Sequence, residues 1–282
     1  MCLTGLADQT QSSSGGIPHF SLSRRDLVRG LAAGTVVAFT AGCSYNSALG
    51  RDQLLMVSEA DLIQLSLSAW TETLKTEQRS DDPLLNRRVR RVGHEIVTAA
   101  GRGNQAWEYA VFENKEANAF VLPGNKVGVN TGLFKAIEND DQLAAVLGHE
   151  AAHVTAQHAA ERYSQGMAAQ LGMAAANLAM AQTDLGHQKE LVGALGLGVQ
   201  FGVLMPFSRQ HELEADRIGV DYMHAAGFEP VQALKLWQNM ASNPAKSKPP
   251  QWLSTHPSDE TRISALQAYL TQRGWMGTKA SV

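Results

Sequence analysis

Apolar positions recur every three or four residues from Ser58 to Thr76 and again from Pro83 to Ala100, which predicts two helices. The second contains LLNRRVRRVGHEIVTAA and is expected to turn its basic face outward, with His94 and Glu95 as a surface pair. The period then shortens. Strand-forming runs at Tyr109–Phe112, Ala119–Leu122 and Lys126–Val129, the last two joined by a Pro-Gly-Asn turn at 123–125, predict a small antiparallel sheet. Helical spacing returns after Asn139 or Asp140, either of which can cap it. It continues as one long helix through DDQLAAVLGHEAAHVTAQHAAERY, with Leu143, Val146, Leu147 and Val154 on the apolar face. Another helix is expected to start after Ser208 and run through RQHELEADRIGVDYMHAA, terminated by Gly227, with Pro230 opening the next and Ser258 capping a final amphipathic helix. No repeat and no second domain interrupts this pattern, so the fold class is α+β, mainly helical, with the sheet beside the long helix.

Two stretches stand outside it. Residues 191–207 are uncharged but short for a membrane span, and their glycines weaken helix formation; a buried or cleft-covering helix is expected, with membrane contact as the alternative. Met167, Met173, Met180 and Met205 read as adaptable core filler. At the N-terminus, Arg24, Arg25 and Arg29 precede a short apolar run, which reads as an export signal and resembles a twin-arginine leader. TAGC at its end resembles a lipoprotein cleavage box, in which Cys43 becomes the acylated first residue; the alternative is an ordinary cleaved signal with an incidental cysteine, since small residues precede either cleavage site. The expected organisation is a signal over residues 1–42, a tether over 43–54 and a single domain over 55–275, anchored by the lipid on Cys43.

Composition narrows the chemistry. The two cysteines, Cys2 and Cys43, lie in or at the edge of the signal, so the processed domain is expected to fold without a disulfide and to offer no thiolate to a metal. The formal charge is -3, and nothing in its distribution attracts nucleic acid.

The candidate chemistry begins at LGHEAAH, residues 147–153. On a helix His149 and His153 are one turn apart and point to the same side, with Glu150 able to reach a water bound there, the geometry of a metallopeptidase. A catalytic zinc takes three protein ligands and keeps a position open, so a third ligand is needed. Glu212 and Glu214 are both on offer and cannot face the same way. Glu212 shares its face with Asp216 and Gly219, whereas Glu214 turns toward Arg217 and Ile218; Glu212 is therefore the expected ligand, and Asp216 could accept the free ring N–H of a ligating histidine.

HEAAH at 149–153, ELEADRIG at 212–219 and NAFVLPG at 118–124 together resemble the HtpX and CAAX prenyl protease family of zinc metallopeptidases, in particular its soluble periplasmic lipoprotein branch engaged in outer-membrane quality control. The resemblance covers roughly residues 55–270 and implies a zincin-like domain holding one zinc ion per chain. It matches His149, His153 and Glu212 to the ligands, Glu150 to the catalytic base and Asp216 to a supporting carboxylate. It also matches His256, in STHP, to a histidine that can cap the metal as a fourth ligand, with Arg262 following. The chain departs from the quality-control members in lacking tetratricopeptide repeats, and from the rest of the family in lacking evident multiple membrane spans.

The expected activity is endoproteolysis of extended or misfolded envelope proteins, with the outer-membrane assembly machinery as a candidate partner. An edge strand at Asn118, Ala119, Phe120, Val121 and Leu122 would hold the peptide by adding it to the sheet. The alternative is an envelope chaperone or latent protease that binds unfolded chains with the zinc site capped by His256.

Overall fold

Ser58, Asp82, Asn139 and Ser208 each stand just ahead of a helix and accept a backbone N–H from its first turn, satisfying donors that the helix itself cannot. The helices they open are α1 (Glu59–Thr76), α2 (Pro83–Ala99), α3 (Asp140–Thr155) and α5 (Arg209–Ala225). The structure, a computed structural model, describes residues 42–180, 207–241, 252, 256 and 260–277. The expectations for signal residues 1–41, for 191–206, for the side chains of Met173 and Met180, and for Met205 and Ser258 lie outside the described residues.

The chain divides after Met56 into two units. In the first, β1 (Cys43–Asn46) pairs antiparallel with β2 (Arg51–Leu54), so the segment read as a tether carries a hairpin. The second unit holds the remaining elements. Its sheet contains β3 (Glu108–Phe112), β4 (Ala119–Leu122) and β5 (Lys126–Asn130) in the order β3-β5-β4. β4 and β5 pair antiparallel, but β3 and β5 run parallel, so the sheet is mixed where an antiparallel one was expected. The reason is the route of the chain. After β3 it crosses to the far edge and turns back, and the strand that fills the middle therefore arrives in the direction of β3. β4 is left at an edge.

α3 lies at the centre. Every residue from Gln142 to His153 is buried, which explains why no single apolar face accounts for the helix. Leu143, Val146 and Leu147 join a core with Val89, Val92 and Ile96 of α2, Val127 and Val129 of β5, and Val220 and Met223 of α5. Arg88 and Arg91 reach from α2 to Asp140 in the first turn of α3, placing two cations of the outward basic face at a helix N-terminus through its acidic residue; His94 is exposed, and Glu95 pairs with Arg91.

The long helix expected across residue 157 is in fact two. α3 ends at Thr155, Gln157 takes a left-handed conformation with φ 53, and α4 (His158–Met180) starts immediately after. The sequence gives no warning here, because neither Gly nor Pro marks the break. A left-handed Gln costs roughly 1–2 kcal/mol, a cost the surrounding packing must offset.

α5 ends as expected, with Gly227 at φ 88, and is followed by α6 (Val231–Ala241) and α7 (Glu260–Gln272). Among the described residues no helix is long and apolar enough to cross a membrane.

Candidate metal centre

α3 and α5 cross at two glycines. A Cβ on Gly148 would stand 3.0 Å from the Gly219 carbonyl oxygen, and one on Gly219 would stand 3.0 Å from the Gly148 carbonyl carbon. This close approach sets His149 and His153 of α3 against Glu212 and Asp216 of α5, all four buried. His256, from the segment ahead of α7, joins them and is 2% exposed.

The donor atoms of His149, His153, Glu212 and His256 lie within 4.8 Å of one another. His153 Nε2 is 3.0 Å from His149 Nε2, which is 3.2 Å from His256 Nδ1 and 3.3 Å from Glu212 Oε2. Glu212 Oε1 is 3.1 Å from His256 Nδ1 and 3.5 Å from His153 Nε2. Ligands bound tetrahedrally to zinc at about 2.0–2.1 Å stand about 3.3 Å apart, so this set fits one such ion. Three imidazoles and a carboxylate are also donors that zinc accepts well.

Supporting contacts orient the cluster. His149 Nδ1 is 2.9 Å from Asp216 Oδ1, which leaves Nε2 to face the centre. Arg262 of α7 donates from Nε to Asp216 Oδ2 and from a terminal nitrogen to Oδ1, both at 2.8 Å, and another terminal nitrogen lies 2.7 Å from Glu212 Oε2. The same guanidinium donates to the His256 carbonyl at 3.3 Å, tying that segment to α5. Burial would raise the Asp216 carboxyl, but Arg262 and His149 outweigh it and hold the group below its usual value. Glu212 is held low against the same burial by His149 and His256. Burial, reinforced by the neighbouring rings, pushes His153 well below the usual imidazole value.

Glu150 is 2% exposed. Its Oε1 accepts from Trp252 Nε1 at 3.1 Å and lies 3.4 Å from His256 Nε2. Trp252 stacks between Trp237 and His256, with ring centroids 4.4 and 4.8 Å away. A cleft of about 390 Å³ opens beside Glu150 and His256. Asn118, Phe120, Val121 and Leu122 form one wall, while Ala119 turns into the core, and Leu62, Ser66 and Ala69 of α1 contribute to the lining.

Several residues of this neighbourhood went unread in the sequence. His158 lies behind His153, Trp252 holds Glu150, and His211 Nε2 meets Glu161 Oε2 at 3.1 Å. Glu214, on the helix face away from Glu212, meets His158 Nε2 at 3.0 Å. His158 was hidden by the assumption of one continuous helix, which would rotate it about 140° from His153. Its signal is only the short spacing from His153.

Residues 83–270 match the sequence model of Peptidase family M48. The chain is 38% identical over 188 residues to the mitochondrial metalloendopeptidase OMA1 of Schizosaccharomyces pombe, covering 65% of this chain and 52% of that protein. It is 34% identical over 191 residues to the beta-barrel assembly-enhancing protease of Escherichia coli K12, covering 65% and 38%. It is 31% identical over 239 residues to the mitochondrial metalloendopeptidase OMA1 of Bos taurus, covering 79% and 45%. The chain thus spans about half or less of the length of these curated relatives.

Proposed function

The chain belongs to peptidase family M48, and on that footing we propose that it is a zinc-dependent endopeptidase acting on extended or misfolded envelope proteins. The observation that carries this reading is the convergence of His149, His153, Glu212 and His256 on one point, beside Glu150 and an open cleft. His149, His153 and Glu212 would hold the metal, with Asp216 and Arg262 fixing their side chains. Zinc, when bound, supplies the Lewis acidity that activates water and polarises a peptide carbonyl.

Glu150 takes the proton from the attacking water and returns it to the leaving amine. It suits this role because it follows a ligand in sequence without itself belonging to the cluster. β4, at an edge of the sheet among the described residues, holds the peptide in extended form, and the apolar cleft wall at Phe120, Val121 and Leu122 accepts its side chains. Backbone pairing of this kind demands little of the substrate's sequence, which favours broad action on unfolded segments.

His256 engages the cluster through Nδ1 while its Nε2 lies 3.4 Å from Glu150. That contact favours a second reading, a latent peptidase or chaperone in which His256 caps the metal and occupies the place of the attacking water. We place the protein on the periplasmic face of the outer membrane, as a lipoprotein of the family's quality-control branch; anchoring through Cys43 requires its sulfur to leave the disulfide bond it makes in the full chain. The name of the Escherichia coli relative, a beta-barrel assembly-enhancing protease, supports outer-membrane proteins as substrates, and we carry the outer-membrane assembly machinery as the candidate partner.

The test is cleavage of a denatured reporter protein by the full chain, loaded with zinc or stripped by a chelator. Hydrolysis that stops on stripping and returns with zinc supports the peptidase; binding of the reporter without fragments in either condition overturns it in favour of the chaperone.

A further inference from the structure

We propose that His158 and Glu214 form a positioning relay that fixes the ring and the tautomer of His153, giving the metal cluster a second carboxylate-backed histidine beside the His149–Asp216 pair. The inference rests on the reading of His153 as a metal ligand.

The relay is built by the break at Gln157. With φ 53 there, the chain turns sharply between α3 and α4 and brings the His158 ring back onto His153, the two Nδ1 atoms 2.9 Å apart and the rings at 72°. His158 is fully buried, and its other nitrogen lies 3.0 Å from Glu214 Oε2. Glu212 and Glu214 are two residues apart on α5 and point to different sides. One reaches the cluster itself, and the other reaches it through His158.

The order of protons follows from the atoms. His153 Nε2 faces His149 Nε2 and Glu212 Oε1, and to serve as a ligand it must present a lone pair. Its proton therefore sits on Nδ1 and is donated to His158 Nδ1. That leaves the His158 proton on Nε2, where the Glu214 carboxylate accepts it. The opposite tautomer of His158 would set two N–H groups against each other and leave a lone pair facing a carboxylate. Protonating both nitrogens of His158 fails as well, because Nδ1 must accept from His153. The Glu214 charge is transmitted through two hydrogen bonds and raises the basicity of His153 as a ligand. His211 stacks on His158 with centroids 4.4 Å apart and rings at 19°, and is itself held by Glu161, so the middle ring cannot slide.

The test uses the full chain and two readouts. Zinc affinity is measured by competition with a chromophoric chelator in the parent, His158→Leu and His158→Asn. Leucine fills space but accepts no hydrogen bond, and should weaken zinc binding about ten- to hundredfold. Asparagine can place its amide oxygen near the lost Nδ1, and should recover a large part of that loss. In parallel, nitrogen NMR of the zinc-loaded parent should show the His153 proton on Nδ1 and the His158 proton on Nε2, a readout that stands even if a variant does not fold. Parental affinity in folded His158→Leu, or a His158 proton on Nδ1, would overturn the relay while the metal site stands. A folded parent that binds no zinc would instead overturn the metal reading and the relay with it.

Discussion

Gly148 and Gly219 meet backbone to backbone where α3 crosses α5, each standing where a Cβ of the other would come within 3.0 Å of main-chain atoms. The contact adjoins the chemistry on both helices. His149 follows Gly148 directly, and Glu212 and Asp216 share a face with Gly219, so the helix separation sets the distance between the two halves of the ligand set.

Gly219→Val should therefore destabilise the fold by about 1–3 kcal/mol, as overpacking against unyielding backbone does. It should weaken zinc binding in the same variant. Alanine is a poorer probe, since its helix preference of about 1 kcal/mol over glycine offsets part of the clash. Urea denaturation with zinc titration checks both effects.

The capping role of His256 predicts that His256→Ala raises basal cleavage of an unstructured peptide and leaves zinc bound through His149, His153 and Glu212. X-ray absorption of the peptide-free parent should show one more nitrogen neighbour than the variant. Loss of cleavage with zinc and fold intact would move His256 to stabilising the developing oxyanion. A variant equal to the parent in rate and spectrum would remove both roles.

The metal-free chain should lose stability on mild acidification. Burial pushes His158 down to about 4 and His153 well below its usual value, whereas both titrate near 6.5 when unfolded. Between those values the unfolded chain binds protons that the folded chain does not, so stability falls as pH drops from about 6.5 to about 4, on the order of 3 kcal/mol for His158. Burial would also lower His149, but Glu212 and Asp216 outweigh it and push it up to about 9, so it changes state above this window. Urea midpoints taken in chelator across the window should decline; a flat profile would contradict the prediction.

The helices and the HEAAH turn were legible because periodicity and one-turn spacing are local properties. Ser58, Asn139 and Ser208 cap their helices through contacts that need no tertiary structure. That Glu212 and Glu214 lie on different helix faces was also legible, and the structure sends the two to different histidines. The sheet was misread because strand direction depends on the path between strands. The break at Gln157 was missed because that residue favours no left-handed turn and is held there by its surroundings. His158 and Trp252 went unread because their partners, His153 and Glu150, are met only after the chain folds.

The most direct test of metal-assisted hydrolysis with Glu150 as base is a comparison of Glu150→Gln with the parent, both zinc-loaded, on the same denatured reporter. Glu150 lies outside the cluster that could hold a metal ion, so the variant should fold and bind zinc like the parent. Its cleavage rate should fall by about a hundredfold or more, the scale of a lost general base. Fragments appearing at the parental rate, with zinc content and fold unchanged, would contradict the account.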